Sequence, residues 1–143
     1  MKKIIYVTTI LCLTLLGSTN LFSQCNDGQI TCYGSYTVTD SQTPIGDYYL
    51  VYIKVSNLCP SSTGWIFLTT LYSSDLGNSQ SYNGQTVTIG IPTGEETYYY
   101  WTIHIRVDKY VHDEMVDSKE RSEYAARSGT SLTAYNPITV PFD

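Results

Sequence analysis

The feature that most limits the fold of this chain is a period-two alternation of side chains in its longer apolar segments. In residues 48–55 a more apolar set alternates with a more polar set. The first set is Tyr49, Val51, Ile53 and Val55, and the second is Tyr48, Leu50, Tyr52 and Lys54. Residues 97–109 repeat the pattern, with Tyr99, Trp101, Ile103, Ile105 and Val107 against Tyr98, Tyr100, Thr102, His104, Arg106 and Asp108. Successive side chains of a β-strand point to opposite faces, so the pattern predicts strands with one core face and one outer face.

Turn-forming clusters separate these segments about every ten residues, which predicts an all-β chain. The spacing is typical of a single immunoglobulin- or fibronectin type III-like antiparallel β-sandwich of six to eight strands, and it resembles that class in architecture only. Pro137 and Pro141 predict that the last segment, 138–142, lies at a sheet edge, since proline donates no ladder hydrogen bond. Residues 112–128 break the alternation and predict a short helix or an ordered loop, with capping-box spacing at 117–120 and Gly129 as its end.

The N-terminus has the three parts of a secretory signal peptide. Lys2 and Lys3 precede an apolar run at 4–16, and small residues follow it. The run is shorter than the roughly 20 residues that a membrane-spanning helix needs. We therefore predict a removed signal peptide at 1–23, a single domain at 24–143 with no transmembrane span, and export to the periplasm, the outer surface or the extracellular space.

Three cysteines remain after that removal: Cys25, Cys32 and Cys59. An exported chain meets an oxidising compartment, so one disulfide is expected, either Cys25–Cys32 or Cys32–Cys59. The third cysteine is expected to be a buried free thiol. Cys25 also lies where a bacterial lipoprotein carries its lipid anchor, but Gln24 before it is not the small residue of that pattern.

Composition and motifs exclude several classes of function. The net charge of −5 and the lack of a Lys/Arg run argue against nucleic-acid binding. No nucleophile motif surrounds the two histidines, and Asp108 lies about 13 Å from His104 along one strand at roughly 3.3 Å per residue, so no enzyme activity and no cofactor are predicted. A weaker hypothesis places calcium at an acidic cluster formed by Asp108, Asp113, Glu114 and Asp117.

The tyrosines carry the positive functional signal, since 14 of 143 residues are tyrosine. Tyrosine offers a large contact area with few rotatable bonds and a polar tip, which suits binding surfaces. The candidate binding residues are Tyr98, Tyr100, His104, Arg106, Tyr48 and Tyr52. We expect an exported bacterial, non-catalytic binding or structural module, an accessory or adhesive component of an envelope or surface assembly. A protein partner or self-assembly is favoured over a glycan. The alternative is a carbohydrate-binding module that stacks sugars on surface Tyr and Trp, including Trp65.

Overall fold

The computed structural model describes residues 25–60, 63–93 and 101–143. These residues form ten strands and one 3-10 turn, Ser73–Asp75. The strands are β1 (Cys25–Tyr33), β2 (Ser35–Asp40), β3 (Tyr48–Ser56), β4 (Ile66–Tyr72), β5 (Ser79–Ser81), β6 (Gln85–Pro92), β7 (Thr102–Val111), β8 (Glu114–Ser128), β9 (Ser131–Ala134) and β10 (Ile138–Phe142). The all-β prediction is confirmed.

The strands form two sheets. A strongly curled, seven-stranded mixed sheet has the order β4-β3-β7-β8-β9-β1-β6, and a three-stranded sheet has the order β10-β2-β5. Most neighbours are antiparallel, but β1 runs parallel to β9 and β10 runs parallel to β2. β10 lies at the edge of its sheet, as Pro137 before it and Pro141 within it predict.

The count of ten strands exceeds the expected six to eight because three long strands are each broken once. β2 continues β1, β6 continues β5, and β10 continues β9, so each pair contributes one strand to each sheet. The first break is at Gly34, where an added Cβ would collide with the hydroxyl of Tyr82. A glycine is required there by the close approach of that ring.

The inward sets of the alternating segments meet in one core. Among the described residues it is lined by 21 that are buried, and the largest fully buried side chains there include Trp101, Tyr36, Tyr49 and Phe142. From β3 the core receives Tyr49, Val51, Ile53 and Val55, and from β7 it receives Ile103, Ile105 and Val107. The predicted core face is therefore confirmed for these two strands, while Tyr99 lies outside the described residues.

The helix or loop expected at 112–128 is wrong. Residues 114–128 form β8, the longest strand, which pairs antiparallel with β7. A two-residue turn joins them, in which His112 and Asp113 have positive φ angles of 50° and 63°. Those angles match a hairpin turn whose twist suits antiparallel strands, although neither residue is glycine. Ala125 is the only residue of β8 that is buried, so burial of an apolar face does not explain this strand. Its ladder of hydrogen bonds with β7 determines its structure instead.

The disulfide differs from both predicted pairings. Cys25 at the start of β1 is bonded to Cys59 in the loop after β3, with 5.9 Å between their Cα atoms. Cys32 is the buried free thiol, as expected for the odd cysteine, and burial raises its pKa to about 11. The bond consumes the Cys25 sulfur that a lipid anchor would need, so disulfide and lipidation exclude one another. A β-rich fold with a disulfide is compatible with an exported protein in an oxidising compartment.

The predicted signal peptide at 1–23 falls outside the described residues. Within the described ranges, no helix is long and apolar enough to cross a membrane.

Candidate binding face

The outward sets of β3 and β7 lie on the same surface because the two strands are direct neighbours. In their antiparallel register Tyr52 is opposite Arg106, and Tyr48 is opposite Tyr110. Tyr48, Tyr52, His104 and Arg106, four of the predicted binding residues, therefore share one face. Tyr98 and Tyr100 lie outside the described residues. We call the surface of β4, β3, β7 and β8 that is turned away from the core the outer face.

The centre of the outer face is a stack of cationic and aromatic side chains. The Arg106 guanidinium carbon lies 4.5 Å from the ring centroid of Tyr52 and 4.8 Å from that of Trp65. The Lys54 ammonium lies 4.5 Å from the Trp65 centroid. These distances are within the range of cation–π attraction, which is electrostatic and strengthens as water is removed. The two cations are thus held in defined positions by rings from β3 and from the segment before β4.

Further aromatic side chains flank this stack. Phe67 packs edge-on against Tyr52 with 5.8 Å between ring centroids, and Tyr48 stacks on Tyr110 at 5.0 Å with an interplanar angle of 8°. Phe67 and Tyr72 on β4 remain 52% and 57% exposed. The outer face therefore combines ordered rings with large apolar side chains that water still reaches.

His104 is fixed by hydrogen bonds to both neighbouring strands. Its Nε2 lies 2.7 Å from Ser56 Oγ, and its Nδ1 lies 3.0 Å from Glu120 Oε1. A carboxylate can only accept hydrogen bonds. Neutral His104 therefore donates a hydrogen bond to Glu120 from Nδ1 and accepts one from the Ser56 hydroxyl at Nε2. The contacts run in the order hydroxyl, imidazole and carboxylate, which is also the order of a nucleophile–base–acid relay. We assign the three side chains to a cross-strand network that orders the outer face.

Sequence reasoning missed both partners of His104. It considered only Asp108, whereas the acid that contacts the imidazole comes from β8. The β7–β8 register pairs Glu120 with Arg106, which is two residues along β7 from His104 and on the same face. Glu120 is therefore a diagonal neighbour of His104. The contact requires residues 114–128 to form a strand paired with β7, which their local sequence does not predict.

The ionisation of His104 yields a testable prediction. Burial and the nearby charge of Lys54 lower its pKa from 6.5, and Glu120 only partly opposes them. As the pH falls from 6.5 to the folded pKa of His104, the unfolded chain binds more protons than the folded one, so stability is lost across that interval and no further below it. In an NMR titration we expect a His104 midpoint below 6.5, lowered further by Glu120→Gln and raised by Lys54→Met. A midpoint that rises in Glu120→Gln would contradict this ordering of charges.

The acidic residues suggested for calcium are not brought together. Asp108 is buried, 3.3 Å from Arg106 Nε, and accepts a hydrogen bond from Ser118 Oγ at 2.6 Å. Asp113 lies in the hairpin turn and accepts from Tyr48, while Asp117 forms an ion pair with Lys119 at 3.5 Å. In the part of the chain that the structure describes, no three His, Cys, Asp or Glu side chains could hold one metal ion.

The outer face is therefore an ordered surface of aromatic and cationic side chains, on an all-β chain that contains a disulfide. No protein-family model, no curated protein and no solved structure matches this chain.

Proposed function

We propose that this chain is an exported bacterial, non-catalytic binding module that engages a protein partner through its outer face, as an accessory or adhesive component of an envelope or surface assembly. The observation that carries the proposal is the stack of Arg106 and Lys54 on Trp65, bordered by exposed Phe67. Arginine and aromatic residues are enriched at the centres of protein interfaces, where few side chains supply most of the binding energy.

Preorganisation supports a protein partner in particular. Arg106 already contacts two rings and pairs with Asp108, so little side-chain entropy is lost when a partner covers it. Phe67 and Tyr72 add apolar area on the adjacent strand. Together they provide an apolar region beside fixed hydrogen-bond donors, which is the usual composition of an interface.

The alternative is a carbohydrate-binding module that uses surface Tyr and Trp. Trp65 is only partly buried, so part of its side chain is accessible to a sugar. Sugar stacking needs an open ring face, however, and Lys54 and Arg106 both contact the Trp65 ring and would compete with a sugar for it. We therefore favour protein over glycan.

The immunoglobulin-like sandwich and the signal peptide belong to the same proposal. The sandwich is supported by the single core that both sheets share, and export is supported by the pattern at 1–23 and by the Cys25–Cys59 bond.

The proposal is tested by retention experiments with the mature, oxidised chain. Immobilised chain is incubated with solubilised envelope from the native bacterium and, separately, with its purified polysaccharides. We expect one protein to be recovered in stoichiometric amount, identified by mass spectrometry, and no retention on polysaccharide. Retention on polysaccharide alone would replace this proposal with the carbohydrate-binding alternative.

A further inference from the structure

A buried lysine and a buried aspartate meet at one end of the core. Lys109 Nζ on β7 lies 2.8 Å from Asp40 Oδ2 at the end of β2, and their side chains are 3% and 0% exposed. The Lys109 ammonium also faces the Phe142 ring at 5.9 Å. The pair joins the seven-stranded sheet to the three-stranded sheet. Burial of both charges is costly, so this contact calls for an explanation beyond a surface ion pair.

Both oxygens of Asp40 receive additional hydrogen bonds. The Gln42 N–H donates to Oδ1 at 2.8 Å, and the Tyr49 hydroxyl donates to Oδ2. The Gly46 N–H in turn donates to the Tyr49 oxygen at 2.8 Å, which leaves the Tyr49 proton directed at the carboxylate. Burial opposes ionisation of Asp40, but the hydrogen bonds from Lys109, Tyr49 and Gln42 outweigh it and lower its pKa.

This arrangement contains the parts of an acyl-transfer site. Lys109 Nζ is an amine nucleophile, Asp40 Cγ is the electrophilic carbon, and the Gln42 N–H is positioned where negative charge develops on Oδ1. Tyr49 contacts Oδ2, the oxygen that would leave, and can protonate it. The reacting groups are held in contact, which removes the entropic cost of bringing them together.

We propose that Lys109 and Asp40 condense into an intramolecular isopeptide bond that cross-links the two sheets. A proton first passes from Lys109 Nζ to Asp40 Oδ2 along their 2.8 Å contact, giving a neutral amine and a carboxylic acid. The Nζ lone pair then attacks Cγ, and the negative charge on Oδ1 is stabilised by the Gln42 N–H. The Cγ–Oδ2 bond breaks as Nζ loses a proton and Oδ2 gains one through Tyr49, so one water leaves and an amide remains.

The ion pair is the favoured state of the two groups, so the reaction proceeds through a minor neutral form that one proton transfer along the 2.8 Å contact supplies. An open cavity of about 620 Å³ borders Lys109 and Gln42 and gives the released water a route to solvent. The cross-link would lie near the start of β3, since Tyr49 is opposite Lys109, whereas the disulfide is in the loop after its end. The two covalent bonds would then tie both ends of the fold, independently of any partner on the outer face.

The test is the intact mass of the mature, oxidised chain purified from its exporting cell. We expect this mass to be one water lower than the mass calculated from the sequence with one disulfide. After reduction and trypsin digestion we expect a branched peptide that joins the peptide ending at Lys54 to residues 107–119, with no cleavage after Lys109. A chain that keeps its full mass after prolonged incubation in the folded state, and that is cleaved after Lys109, overturns the proposal.

Variants separate the chemistry from folding. Lys109→Arg keeps the positive charge and is expected to lose no water, so its mass should equal the mass calculated for its own sequence with one disulfide. Tyr49→Phe keeps the ring, removes the proton donor, and is expected to slow the loss of water at least tenfold in a time course of the refolded chain. Lys119→Arg, at the partly exposed pair with Asp117, is the matched control and is expected to lose water as the wild type does. Loss of water from Lys109→Arg would overturn the assignment to Lys109, whatever the outcome of the binding experiments.

Discussion

Replacing Phe142 with alanine is expected to lower the free energy of unfolding by about 3–5 kcal/mol, which is the usual cost of removing a buried phenylalanine ring. Phe142 is fully buried on β10, where its ring packs against Tyr49 with 5.6 Å between centroids. Truncation leaves a cavity where the three-stranded sheet meets β7 and β8. Urea denaturation followed by far-UV circular dichroism measures the change.

Phe67→Ala is the matched control for that experiment, because it removes the same ring from an exposed site on β4. The ring contacts Tyr52 only at its edge, so we expect a loss below about 1 kcal/mol. Equal losses in the two variants would contradict the division of the strands into a core face and an outer face.

Loss of the Cys25–Cys59 bond is expected to lower the free energy of unfolding by about 4 kcal/mol, because the bond closes a loop of 34 residues in the unfolded chain. Cys25→Ser and Cys59→Ser should each show this loss, and the double variant should show little more, since either change removes the whole bond. The measurement is chemical denaturation without reductant.

Cys32→Ala tests the pairing itself. Cys32 is fully buried and outside the disulfide, so this variant should keep the Cys25–Cys59 bond in a non-reducing peptide map. A map that instead joins Cys32 to either other cysteine in the wild type would restore one of the pairings suggested by the sequence.

The sequence is most informative where a strand is buried on one face. In β3 the alternation from Tyr48 to Val55 determines both the strand and the direction of each side chain, because polar residues in the core would cost too much. The placement of Tyr48 and Tyr52 on the outer face follows from the same pattern. What the pattern leaves open is which strands are neighbours, since alternation describes a strand and not its partner.

The errors arise where structure depends on distant partners. Residues 114–128 contain alanines and many charged residues, which favour a helix locally, but pairing with β7 outweighs that preference. The contact of His104 with Glu120 depends on the same hairpin register. The Cys25–Cys59 bond likewise depends on how β1 is placed relative to the loop after β3, which spacing along the chain does not encode.

Binding through the outer face is tested most directly by the dissociation constant of the recovered partner for four forms of the chain. These are the wild type, Arg106→Ala, Phe67→Ala and Tyr33→Ala, the last a control at a 38% exposed tyrosine on β1. We expect Arg106→Ala and Phe67→Ala each to weaken binding about tenfold or more, and Tyr33→Ala to change it by less than about twofold. Unchanged affinity in both outer-face variants, with weakened binding in Tyr33→Ala, would contradict binding through the outer face.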